Sequence, residues 1–277
     1  MEIVLVMLNN FQSYILDNIY QLQKTNNSEI TVICDKKFKS KFENLKVKIV
    51  IIEDLISNYS NITNNNSNTF RNGFWYFTTF RFLAIFHYMK KNNCENIIHI
   101  ENDVLIYKDL KLINFHDKNK ILLTIDSQKR CIPGLMFLPT HNVLNLCLQH
   151  FKSNLNDMEN WANCFYQFPN LIDSLPIFKT NKCSQIFSII TNKFEHYNCI
   201  FDAAAIGQFI GGIDPRNCKG NTEGFVNETC LINYSKYTII WKKEKSGHEP
   251  FLQIDNEDIP IINLHIHSKN LKKYISL

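Results

Sequence analysis

The chain has no cysteine spacing suited to a metal cluster or a disulfide framework. Its nine cysteines, from Cys34 to Cys230, are scattered, odd in number and never set two residues apart as a C-x-x-C pair. Reduced thiols in a cytoplasmic setting are therefore expected. Long apolar runs are missing too. The start of the chain carries only Ile3 to Leu8 and no basic leader, too little for a signal peptide or a membrane span. Charge of one sign is also scarce. Thirty Lys and Arg stand against 26 Asp and Glu, a net +4 that gives no nucleic-acid signature. The basic pieces Lys36-Lys37-Phe38-Lys39 and Lys242-Lys243-Glu244-Lys245 read as solvated faces. There is no internal repeat and no clean linker, so a single domain over 1–277 is expected. Hydrophobic residues make up 45% of the chain and aromatics 13%, enough for a sizeable core.

Periodicity supplies the outline. Ile3 to Leu8, Glu29 to Cys34 and Val47 to Ile52 read as buried strands, with a helix from Phe11 to about Lys24 between the first two. Short connections in this strand–helix–strand opening predict a parallel sheet with right-handed crossovers. Asn58 to Asn68 is polar and of low complexity, a loop. Phe74 to Met89 is apolar on more than one face and reads as a buried helix, and Arg81 inside it needs a partner. Further strands are predicted around Ile97–Ile100, Ile121–Asp126 and Pro133–Pro139, with a helix over 142–151. Asn154 to Thr191 reads as irregular, with aromatics and prolines in loops and short helices, and Phe201 to Ile210 as a helix entered through Asp202.

Three places carry groups able to do chemistry. His99-Ile100-Glu101-Asn102-Asp103-Val104 empties a buried strand into an acidic turn. Strand ends of open α/β sheets face the ligand crevice, and paired carboxylates there suit a hard divalent cation. Taken alone, the motif also admits the reading of an acidic surface turn, against which the buried lead-in weighs. Leu264-His265-Ile266-His267-Ser268-Lys269 alternates, so as a strand both imidazoles share one face, with hydroxyl and ammonium donors following for a phosphate. His265 is the metal candidate of the two, and His267 the packing residue. Asp202, ahead of Ala203-Ala204-Ala205, is either an N-cap or a general base within reach of an acceptor hydroxyl.

With Arg81-Phe82, His99 to Leu105, Phe201 to Gln208, Gly211 to Asn217 and Asn263 to Lys269 in this order, essentially the whole chain resembles glycosyltransferases of the GT-A fold, in a group found in bacteria and large DNA viruses. The resemblance implies an α/β fold: a GT-A type, Rossmann-like mixed sheet flanked by helices, with a C-terminal acceptor-side elaboration. It implies a nucleotide-sugar-binding half over 1–140 and an acceptor-binding half over 141–277. The activity implied is metal-dependent transfer of a sugar from a UDP-sugar donor to a hydroxyl of a glycan or glycoconjugate acceptor, with Mn²⁺ or Mg²⁺ as cofactor. For a viral member the setting is the host cytoplasm.

Carried over by motif, Asp103 is the direct metal ligand of a DxD-like motif and His265 completes the metal shell. Glu101 stands where the family has Asp, and its longer side chain is expected to reach the ribose or a metal-bound water. Lys269 becomes a diphosphate contact. Asn9 and Asp35 hold the nucleotide, and Arg81 pairs with the acidic turn or the diphosphate. Asp202 is the nearest match to the catalytic base, although Ala203 replaces the second acid of the usual pair, which leaves inversion or retention open. Two rivals stand beside this: a sugar-nucleotidyltransferase, which usually opens with a Gly-rich basic loop that Leu8-Asn9-Asn10-Phe11-Gln12 lacks, and a non-catalytic nucleotide- or carbohydrate-binding module.

Overall fold

The computed structural model describes residues 1–59, 73–180, 185–244 and 247–276. Most of the Asn58–Asn68 segment, Cys183 and Lys245 lie outside the described residues. The first strand, β1 (Glu2–Met7), has alternate side chains on opposite faces of the sheet, as strand geometry requires. Ile3, Leu5 and Met7 enter one core with Ile15, Ile19 and Leu22 of α1 (Tyr14–Thr25). Val4 and Val6 enter the other core with Phe82, Ile85 and Met89 of α2 (Phe74–Asn92), Leu144 of α3 (His141–Leu148) and Trp161 of α4 (Asp157–Gln167). Both faces are thus covered by helices, which is why the inner strands read as unbroken apolar runs.

The sheet has seven strands. β2 (Glu29–Cys34), β3 (Lys48–Ile51), β4 (Ile97–Ile100), β6 (Ile121–Ser127), β7 (Arg130–Leu138) and β8 (Ile172–Leu175) join β1 in the order β3-β2-β1-β4-β7-β6-β8. β1, β2, β3 and β4 pair in parallel, as does β6 with β8, whereas β7 runs antiparallel to both its neighbours. The sheet is therefore mixed rather than wholly parallel. Pro133, which lacks a donor for the ladder, sits where the β6–β7 register shifts and beyond the stretch of β7 that pairs with β4.

Two stretches depart from the expectation. The segment over 154–191 holds helix as expected, in α4, opened by an Asn156–Glu159 capping box, but it also holds the sheet strand β8, which was not expected. The C-terminal part carries a three-stranded antiparallel sheet of β9 (Thr238–Glu244), β10 (Gly247–Ile254) and β11 (Glu257–Pro260), which the sequence reading did not foresee. Asp255 and Asn256, both with positive φ, make the tight β10–β11 turn. Finally β5 (Val104–Ile106) pairs antiparallel with β12 (Asn263–His265), setting His265 opposite Val104. That pairing closes 160 residues of chain onto the acidic turn. Among the described residues, no helix is long and apolar enough to cross a membrane.

Candidate functional site

The turn between β4 and β5 is fixed from three sides. Asn102 points inward, its Nδ2 donating to Val6 O at 2.8 Å and to Gln12 Oε1 at 2.9 Å. Asn18 of α1 donates from beneath to Glu101 O at 3.2 Å and Asn102 O at 3.1 Å. Glu101 N donates to Gly134 O on β7 and Ile266 N donates to Asp103 O, both at 2.9 Å. With its backbone held by these bonds, the turn presents the Glu101 and Asp103 carboxylates together. They do so beyond the carboxyl ends of β1 and β4. There the strand order reverses direction, with β2 on one side of β1 and β4 on the other.

Three ligand atoms converge at that point. His265 Nε2 lies 3.1 Å from Asp103 Oδ2 and 3.2 Å from Glu101 Oε2. One donor atom from each of these residues falls within 4.8 Å of the others, the arrangement a single cation needs. Lys269 Nζ donates to Asp103 Oδ2. Arg81 Nη1 reaches Glu101 Oε1 at 2.5 Å and its Nη2 reaches Asp157 Oδ2 at 2.8 Å. The partly buried Arg81 thus has two carboxylate partners, one of which, Asp157, was not foreseen from the sequence. Three carboxylates, Glu101, Asp103 and Asp157, are thus balanced by Arg81, Lys269 and the imidazole.

The electrostatics follow from this packing. Burial works to raise the Asp103 pKa, but the charges of His265 and Lys269 overcome it and hold the group well below its ordinary value. Glu101 is likewise held low against burial, by Arg81 first and then His265. Burial lowers the His265 pKa, and Asp103 more than reverses it, so the imidazole is raised. The carboxylates of the site are therefore held ionised, with Arg81, His265 and Lys269 as their compensating charges. His265 Nδ1 has no hydrogen-bond partner and faces Gly134, where a Cβ would stand 3.0 Å from it. Packing, rather than an outer acceptor, holds the ring.

The triad opens on a cleft of about 840 Å³. Asn9, in the loop after β1, lines it; so do Tyr14, Arg81, Gln208, Arg216 and Lys269. Asp35 does not. It is buried behind the loop, its Oδ2 accepting from Asn9 N at 2.5 Å and lying 3.8 Å from Lys37 Nζ, which itself donates to Asn9 O at 2.7 Å. Asn9 has a φ of 66°, a left-handed conformation that this bracing sustains.

Two expectations are corrected. His265 and His267 do not share a strand face, because β12 ends at His265 and the chain turns, His267 N donating to its carbonyl at 2.9 Å. Burial depresses His267 to about 4, and the neutral ring accepts at Nδ1 from Asp214 N at 3.0 Å, so it holds the 211–217 loop. Nor does Asp202 enter a helix directly. Ala203, Ala204 and Ala205 loop past it, and α5 (Ile206–Gly211) begins later. Asp202 Oδ1 accepts from Ala205 N and Ile206 N, and Oδ2 from Gly207 N and His265 N, at 2.8–2.9 Å. The carboxylate is 2% exposed and is not among the groups lining the cleft. Burial raises its pKa, and those amides pull against the rise.

No protein-family model matches the chain, and no curated protein matches it. Solved structures of similar shape include mouse xyloside xylosyltransferase 1, at 12% identity over 69% of this chain and 93% of that one, with a TM-score of 0.42. The galactosyltransferase LgtC, in complex with donor and acceptor sugar analogues, gives 10% identity over 69% and 83%, at 0.44. A cytidylyltransferase from Leptospira borgpetersenii gives 8% over 65% and 77%, at 0.39. These three all fall below a TM-score of 0.5.

Proposed function

We propose that the protein is a metal-dependent glycosyltransferase of the GT-A type, moving a sugar from a UDP-sugar to a hydroxyl of a glycan or glycoconjugate. The observation that carries this is the Glu101–Asp103–His265 cluster, with Lys269 on Asp103, at the switch point of the sheet and open to a cleft. The two carboxylate oxygens suit Mn²⁺ or Mg²⁺, the imidazole nitrogen favours Mn²⁺ of the two, and an open side leaves room for phosphate oxygens. Glu101, Asp103 and His265 would hold the cation, which would supply positive charge to offset the departing nucleoside diphosphate.

The chain's own groups divide the remaining work. Lys269 sits beside the metal ligands and supplies a compact positive charge to the diphosphate. Arg81 fixes the Glu101 carboxylate through a fork shared with Asp157, which holds Glu101 toward Asp103 and His265, where it would serve as a ligand. Asn9 and its loop meet the nucleotide, and Asp35 braces that loop from behind. Asp202 acts as a positioning residue: one carboxylate oxygen holds the His265 backbone while the carboxylate caps the start of α5. A base with all four of these amide bonds already made is poorly placed to take a proton from an acceptor. The eight described cysteines are all free, which suits the reducing cytoplasm as its setting.

The test is a donor panel read by UDP release with Mn²⁺, Mg²⁺ or EDTA. Metal-dependent release is expected. Pyrophosphate release from UTP and a sugar phosphate would favour a nucleotidyltransferase instead, and binding without turnover of any donor would favour a module.

A further inference from the structure

Gln208 is buried to 9% exposure and lines the cleft, yet its side-chain oxygen has no hydrogen-bond partner in the protein. Its neighbour Gly207 is pressed so closely on β12 that a Cβ there would stand 2.1 Å from the His265 carbonyl oxygen. The wall bearing Gln208 is therefore the one that abuts the metal-ligand strand itself. Ala204, from the same segment, also lines the cleft and holds a φ of 56°, a conformation that costs an L-residue energy. Four amide bonds to Asp202 are spent on keeping this loop in place. A strained, small residue and an unpartnered amide oxygen on residues that line the same cleft fit a ligand with both an apolar face and hydroxyl groups.

We propose that Ala204 and Gln208 form the seat of the transferred sugar, with the Gln208 amide hydrogen-bonded to a ring hydroxyl and so choosing among donor sugars. The inference rests on the UDP-sugar reading and specifies where its sugar lies. The Ala204 methyl allows the ring to approach, and Gln208 supplies the directional contact whose absence in a wrong epimer leaves the amide unsatisfied. Neither group touches the reacting bond in this role: the pair determines specificity.

Calorimetric titration in Mn²⁺ tests it, with UDP, UDP-glucose, UDP-galactose and UDP-N-acetylglucosamine as probes, on the parent protein and on Gln208→Met and Gln208→Glu. For the best-bound sugar, the ratio of UDP to UDP-sugar affinity is expected to rise roughly tenfold in Gln208→Met, the loss of one neutral hydrogen bond. UDP binding alone should stay within about twofold, and preference among the three sugars should flatten. Melting temperature should hold or rise, because the unsatisfied oxygen is gone. An unchanged UDP to UDP-sugar ratio in both variants overturns the proposal. So does a fall in melting temperature accompanied by equal losses for UDP and every UDP-sugar, which marks a structural role. Failure of the parent itself to bind UDP in Mn²⁺ overturns the UDP-sugar reading, and the seat with it.

Discussion

Asp103 and Asp202 are buried almost equally, at 5% and 2% exposure, and lie on either side of β12, yet they are built for different work. Asp103 is satisfied by side chains, the imidazole of His265 and the ammonium of Lys269. Such partners can turn away when a cation arrives. Asp202 is satisfied by four backbone N–H groups from two segments, and these cannot leave without unfolding the loop. A buried carboxylate is thus a ligand or a fastener according to what its partners are free to do, and burial alone does not distinguish them. The pKa directions agree: cationic side chains hold Asp103 low, whereas burial prevails over the amides at Asp202.

The widest separation between the two should come from alanine at the first. Asp103→Ala is expected to lower UDP-sugar turnover by more than the roughly 10–100-fold typical of an outer-shell change at a metal site, with the protein still folded. Steady-state kinetics and a melt on the same sample read both. Gly207→Ala attacks the fastener, since the new Cβ meets the His265 backbone rather than a flexible side chain. A loss of about 3 kcal/mol or more is expected in urea unfolding, at the upper end of what overpacking costs.

Asp202→Asn is gentler. Its amide nitrogen faces two N–H donors that have lost their acceptor, and stability should drop by about 2–3 kcal/mol. Turnover of the folded fraction should fall less than tenfold. A general base would instead show a loss of the 10²–10⁴-fold order in kcat with stability nearly intact.

A third buried carboxylate sharpens the rule from another side. Asp126 is fully buried at the end of β6 with Arg130 Nη2 at 3.2 Å, and burial, only partly offset by Arg130, pushes its pKa up to about 6. A raised carboxylate pKa means stability contributed below the unfolded value near 4 and lost as pH rises through 6. The shift from 3.8 to about 6 corresponds to about 3 kcal/mol at full ionisation. Urea midpoints at pH 4 and pH 7 should therefore differ in the parent by more than in Asp126→Asn, and equal slopes would contradict this.

Much of this was legible in the residues, and the gaps have physical causes. β1, β2 and the acidic turn announced themselves because two-sided burial leaves continuous apolar runs ending at polar residues. Arg81 announced that it needed a partner. Asp157 escaped because the aromatics and prolines around α4 masked its start, although Asn156-Asp157-Met158-Glu159 carries the capping-box pattern. The β10–β11 hairpin escaped because its turn is Asp255-Asn256 rather than a glycine pair. His267 misled because alternation of apolar and polar residues continues past the end of β12, while the chain there is already turning. The seat at Ala204 and Gln208 has no sequence signal beyond small residues, since both the strain and the unsatisfied amide arise only in the folded arrangement.

The central claim is that Asp103 and His265, brought together by the β5–β12 pairing, hold a cation for a nucleoside diphosphate. Titrating Mn²⁺ with UDP into the parent protein and into Asp103→Ala and His265→Ala, by calorimetry, tests it most directly. Saturable one-to-one binding of UDP that requires Mn²⁺ in the parent, and its loss in both folded variants, is the predicted result. UDP binding of equal strength in all three proteins, or in the parent with EDTA, would contradict it.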